Sequence, residues 1–141
     1  MKKTLLIALI SSSVSLSFGQ AQIGNGDFES FGTAFGGEPT NWNSFLSASG
    51  TWSGVASDQI AESPDVRPGT TGTKSCRIFS KSTLGIVANG NVTLGKINMG
   101  STTPANASNY NASITNDPDF SEALTDQPDS IVFWAKFTPN G

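Results

Sequence analysis

The sequence predicts an all-β domain of the sandwich type, on three observations. Apolar residues fall in short runs punctuated by Gly, Ser, Thr and Asn, the rhythm of strands and turns and not of amphipathic helices. Ile131, Phe133, Ala135 and Phe137 alternate along one run, so that they share a face with period two. Asn89-Gly90 stands between two further apolar runs, and Asn-Gly supplies the positive φ angles of a two-residue hairpin turn.

The elements follow in chain order. Met1-Lys2-Lys3, the apolar run Thr4 to Ile10, and the small residues Gly19 and Ala21 make the three parts of a secretory signal over residues 1–21. The apolar run is far short of the roughly 20 residues that span a bilayer, so export without membrane insertion is expected once the signal is cut. Residues 22–141 then form one domain. A first strand is expected within Gly24 to Phe31, anchored in the core by Phe28. A second covers Lys74 to Ser80, with Cys76 and Ile78 on one face.

Leu84 to Ala88 and Asn91 to Met99 are expected to pair across the Asn89-Gly90 turn. Gly95 would form a bulge that returns Ile97 and Met99 to the core side. Gly100 to Ile114 reads as a long polar loop holding Tyr110. Asp117 suits a helix cap and Pro118 the first helical position, so one helical turn is expected between Asp117 and Leu124. Ser130 to Phe137, with Val132 and Trp134 covering its second face, reads as a strand in the middle of a sheet. Thr138-Pro139-Asn140-Gly141 then announces a return strand, which makes the chain read as the N-terminal part of a longer sandwich.

Composition excludes several functions. Without Lys2 and Lys3 the chain carries six basic and eleven acidic residues, a net charge near −5. Phosphate binding needs clustered Lys and Arg, so nucleic acid is not an expected partner. The chain has no histidine, which removes the base of Ser and Cys hydrolase triads and every His-ligated zinc site. Cys76 is the single cysteine and is expected to be buried as a small apolar side chain.

Several segments, in order, resemble the PCMD family of secreted Bacteroidetes proteins, whose name links it to carbohydrate metabolism. They are Asn25-Gly26-Asp27-Phe28-Glu29, Glu38-Pro39-Thr40-Asn41-Trp42, Arg67-Pro68-Gly69-Thr70-Thr71-Gly72 with the Ser75 to Ile78 run, Ala88 to Gly95, and Pro128 to Trp134. The likeness runs over residues 23–141. It implies a jelly-roll, galactose-binding-like β-sandwich at the cell surface or secreted, and a polysaccharide or glycan as partner. It carries over no catalytic residues.

Sugar C–H faces pack on flat aromatic rings, and sugar hydroxyls need polar groups beside them. Trp52, in Gly50-Thr51-Trp52-Ser53-Gly54, is a large ring in a flexible polar loop and a candidate contact, weighed against packing over a sheet edge. Trp42 and Tyr110 are further candidates, the first weighed against a structural plug, the second with Asn106, Asn109 and Asn111 as a polar rim. Arg67, in a Pro-flanked loop, would offer its guanidinium fork to a sugar or carboxylate, or pair with Asp65 or a backbone carbonyl. Asp27 and Glu29, near the first strand, are the candidate ligands of a structural calcium ion. No catalytic carboxylate pair is assigned, and the acidic tract from Asp117 to Asp129 reads as a solvated face. Three functions are therefore open: a non-catalytic carbohydrate-binding module, a glycan-processing enzyme with its carboxylates outside this chain, and a structural or adhesive surface module.

Overall fold

In a computed structural model, residues 23–33, 37–55, 58–125, 128 and 130–139 are described. The signal segment expected over residues 1–21 lies outside them. Six short strands pair two by two: β1 (Ile60–Ser63) with β2 (Ser75–Ile78), β3 (Lys81–Thr83) with β4 (Ile86–Ala88), and β5 (Lys96–Met99) with β6 (Asn109–Ala112). All three pairs are antiparallel. Among the described residues helix is confined to two 3-10 turns, Ser53–Val55 and Pro118–Phe120. The described residues are thus mostly strand and turn, in three small antiparallel sheets, consistent with an all-β class.

The expected strand over Lys74 to Ser80 forms as β2, but only its centre pairs. Cys76 is half-buried and Ile78 is 48 % exposed, because β2 belongs to a two-stranded ladder and the chain at Gly90 covers Ile78 only in part. The helical turn also forms where its cap chemistry places it. The Asp117 carboxylate accepts the Asp119 N–H at 3.1 Å, and Pro118 occupies the first helical position.

The hairpin forms elsewhere than expected. The turn joining β3 to β4 is Leu84-Gly85, with φ of 53° and 75°, between the partners Thr83 and Ile86. Two positive φ angles in a two-residue loop make a turn of type I′. Gly90 is wanted for another reason. A Cβ there would lie 2.7 Å from the Gln59 carbonyl and 2.8 Å from that of Phe79. Backbone crowding, not a left-handed φ, selects glycine. Leu84 is the strained member of the true turn, since a branched side chain at positive φ is disfavoured and its side chain is mostly exposed. Leu84→Asn is therefore expected to stabilise the fold by about 1 kcal/mol, read as a higher urea midpoint at unchanged slope.

Further expectations are corrected by tertiary pairing. The run Asn91 to Met99 is strand only from Lys96 onward, and its partner is β6, drawn from what reads as a polar loop. Gly95 is not placed as a bulge. It enters β5 against the Ala112 carbonyl, 2.7 Å from where a Cβ would stand. Gly24 to Phe31 is no strand. Asn25 and Phe28 take positive φ, and only Phe31 bridges, to Pro39. Ser130 to Phe137 is not a mid-sheet strand either. Its described residues join no ladder, and Ile131, Val132, Phe133, Trp134 and Phe137 are exposed, Phe137 to 86 %. Alternation marked two faces, but no described strand lies beside this segment to receive its N–H and C=O groups.

The core is small. Ile60 on β1 and Ile97 on β5 are 2 % and 3 % exposed, the buried hydrophobic residues among those described, with Pro39 beside them in burial. Among the described residues, no buried side-chain nitrogen or oxygen lacks a hydrogen-bond partner. Gln59 donates its amide to the Ala88 carbonyl at 2.7 Å, tying β1 to the β3–β4 hairpin. The Glu38 carboxylate gathers the 44–47 loop, accepting the Ser44 and Ser47 N–H groups at 2.7 and 3.1 Å and both hydroxyls.

Candidate functional site

β5 has partners on both edges. β6 lies along one, with Tyr110 opposite Asn98. Along the other runs the segment Ser49 to Trp52. Ser49 N donates to the Ile97 carbonyl at 2.9 Å, Met99 N donates to that of Ser49 at 2.7 Å, and Trp52 N donates to that of Met99 at 2.9 Å. Gly50 allows this approach. Its φ is 103°, and a Cβ would stand 2.7 Å from the Met99 carbonyl oxygen. Trp52 and Tyr110, far apart in sequence, are thereby brought to one cavity of about 480 Å³.

The β3–β4 hairpin supplies another wall of this cavity, through Leu84, Ile86 and Val87. The volume falls within the roughly 300–1,000 Å³ of small-molecule sites. Five asparagines line it; Asn89 faces the Ser80 hydroxyl at 3.4 Å, and the other four fall into two classes. Asn98 and Asn109 hold the 100–108 loop. Asn98 donates to the Ser108 carbonyl at 2.7 Å, and Asn109 donates to that of Thr103 at 2.8 Å while accepting the Ser101 N–H at 2.9 Å. Asn91 and Asn111 are different, since among the described residues no hydrogen bond engages their side-chain amides. Tyr110 is 53 % exposed and Trp52 is half-buried, so both rings stay within reach of a ligand. This pairing of two rings with uncommitted amides is what a sugar requires: flat apolar faces, with donors and acceptors beside them.

The other sequence candidates lie elsewhere. Trp42 donates its indole N–H to the Gly24 and Asn25 carbonyls, 3.2 Å each, and its ring packs on Phe28 at 5.0 Å between centroids. It borders a separate cleft with Asp119, Phe120 and Glu122. Arg67 does not pair with Asp65. Its guanidinium lies 4.9 Å over the ring of Trp134, and Asp65 takes Lys136 instead. Trp134 itself is no core residue, at 73 % exposed. Cys76 has its thiol pushed up to about 11 by partial burial, so it is protonated at neutral pH and a poor nucleophile.

The Asp27 and Glu29 pair does not fit a calcium ion. Both Glu29 oxygens are spent on the 73–74 backbone, accepting Thr73 N–H at 2.9 and 3.1 Å, the Thr73 hydroxyl at 3.0 Å and Lys74 N–H at 3.1 Å. An Asp27 oxygen faces the Glu29 N–H at 3.4 Å. Calcium takes about six to eight oxygen ligands. No group of three or more His, Cys, Asp or Glu converges among the described residues. Glu29 is instead a tie between the N-terminal turns and β2.

The backbone N–H groups of Thr73 and Lys74 hold the Glu29 carboxyl below its ordinary 4.5. With the folded pKa below the unfolded one, the tie contributes fully above that value and is lost as pH falls through the lower folded one. Stability should therefore drop on acidification below about pH 4.5, and Glu29→Gln should show a shallower drop in urea melts across that range. Equal acid slopes in the two proteins would remove the tie from the account.

Among the described residues, no helix is long and apolar enough to cross a membrane. Compared with known proteins, the chain matches no family model, no curated protein and no solved structure.

Proposed function

We propose that this protein is an exported, non-catalytic carbohydrate-binding module of β-sandwich type, and that the cavity between β5 and the β3–β4 hairpin is its binding site. The observation that carries this reading is the convergence of Trp52 and Tyr110 on one cavity bordered by the uncommitted amides of Asn91 and Asn111. The resemblance of residues 23–141 to the PCMD family and the signal-like residues 1–21 point the same way. In this reading Trp52 and Tyr110 stack on sugar faces, and the two asparagines exchange hydrogen bonds with ring hydroxyls. Trp42 serves the fold, through its two carbonyl contacts and Phe28.

Affinity electrophoresis against a polysaccharide panel tests this. Retardation by at least one polysaccharide is expected. Trp52→Ala should weaken it about 30-fold, the equivalent of about 2 kcal/mol for the roughly 80 Å² of apolar contact that one ring face provides. Trp42→Phe should leave the affinity within about twofold while lowering stability, because it removes an indole donor worth about 1 kcal/mol. Unretarded migration on every polysaccharide would reject the reading.

A further inference from the structure

The charges of this chain decide what class of glycan the cavity takes. None of the described residues lining it is Lys, Arg, Asp or Glu. The six cations beyond the signal segment are all among the described residues, and every one has a partner. Lys74 pairs with Glu62 at 3.0 Å, Lys81 with Asp58 at 2.7 Å, and Lys136 with Asp65. Arg67 lies 4.9 Å over Trp134, Arg77 5.2 Å over Phe79 and Lys96 4.8 Å over Phe120.

A uronate or sulfate group brought into the cavity would be desolvated without a cation to meet it. It would also approach a chain with eleven acidic residues against those six basic ones. The groups that are available suit an uncharged ligand. An amide offers both donors and an acceptor to a hydroxyl, and aromatic faces take C–H surfaces without regard to charge.

We infer that the Trp52–Tyr110 cavity binds uncharged polysaccharide and excludes anionic polysaccharide, an inference that rests on the carbohydrate-binding reading. The lining that excludes the anion is uncharged, made of apolar, amide and hydroxyl side chains, and the discrimination comes from a missing cation and not from shape. A cation placed on the rim should therefore admit the anionic class. Asn111, exposed on β6 with its amide uncommitted, is the place for it.

The test uses residues 22–141 against two sets of polysaccharides in 150 mM salt. Galactomannan, xyloglucan and laminarin form the neutral set. Polygalacturonate, alginate and chondroitin sulfate form the anionic set. The expected result is binding to at least one neutral polymer, lost in Trp52→Ala, with no binding in the anionic set. Asn111→Lys should then raise affinity for an anionic polymer by up to about fivefold, since a rim charge is worth up to about 1 kcal/mol. Binding to an anionic polymer that depends on Trp52 and persists in 150 mM salt would overturn this inference and leave the carbohydrate-binding reading standing. Binding to neither set would overturn both.

Discussion

Cutting Ile97 back to alanine is expected to lower the melting temperature by about 15 °C, the equivalent of roughly 3 kcal/mol for a buried isoleucine in a domain of this size. Ile97 is 3 % exposed at the centre of β5, the strand that takes β6 on one edge and the Ser49 to Trp52 segment on the other. Its removal costs the transfer energy of the lost methylenes and leaves a cavity that the paired backbones around it are poorly able to close. Ile60, 2 % exposed on β1, should behave alike. A domain is stable by only about 5–15 kcal/mol, and one with so few buried apolar residues belongs at the low end. Either substitution should leave a visible unfolded population at 37 °C by far-ultraviolet circular dichroism. A variant that melts within about 3 °C of the parent would mean that these residues do not form the core.

The second large effect is expected at Gly90. An alanine there would set its Cβ 2.5 Å from Ile78 Cγ2 and under 3 Å from two backbone carbonyl oxygens. The side chain can turn away, but the carbonyls belong to Gln59 and Phe79, hydrogen-bonded to each other at one end of the β1–β2 ladder, and cannot. The expected cost is about 3 kcal/mol, the upper end for overpacking. Gly85→Ala offers the contrast. Its φ of 75° is unfavourable for alanine, but nothing stands within 4 Å of the new Cβ. That change should cost only about 1 kcal/mol. If the turn were at Asn89-Gly90, both values would invert. Urea titrations of the two variants thus decide which residues reverse the chain.

The same two glycines show what could be read from the sequence and what could not. Turn chemistry is local, and by that standard Asn-Gly outranks Leu-Gly. The stronger local signal pointed to the wrong turn because Gly90 answers a tertiary demand, the approach of Gln59 and Phe79, that no neighbouring residue announces. Where structure depends on adjacent residues alone, the reading held. Asp117 and Pro118 set the 3-10 turn. The run around Cys76 and Ile78 formed a strand because β1 lies beside it to pair with.

Ile131 to Phe137 shows a different limit. Period-two alternation says which side chains share a face, but a strand also needs a neighbour, and the described residues supply none. The candidate site was legible in parts. Trp52 and Tyr110 were each recognisable as rings set among polar loop residues, with Asn111 near the second. Their meeting was hidden, because it follows from β5 accepting partners on both edges. The contributions of Leu84 and Val87 were hidden with it, since they depend on where the hairpin turns.

The exposed segment carries its own expectation. Ile131 to Phe137 holds its apolar side chains in solvent and joins no ladder among the described residues, its named ties being Arg67 over Trp134 and Lys136 to Asp65. Exposed chain without ladder hydrogen bonds is where proteases cut first. Limited chymotrypsin digestion should cleave after Phe133, Trp134 or Phe137 before any site in β1 to β6, as read by mass spectrometry of the first fragments. First cuts within the strand pairs would contradict this.

Three tryptophans stand in three different places, so their indole signals report directly on where a glycan binds. Trp52 lines the cavity beneath the β3–β4 hairpin, Trp42 donates to Gly24 and Asn25, and Trp134 lies under Arg67. In a ¹⁵N-labelled sample titrated with a neutral oligosaccharide, the Trp52 indole and the amides of Tyr110 and Asn111 should move together along one saturating curve, while the Trp42 and Trp134 indoles stay fixed. Saturable shifts at Trp42 or Trp134 with Trp52 unmoved would place the ligand elsewhere and contradict the assignment of this cavity.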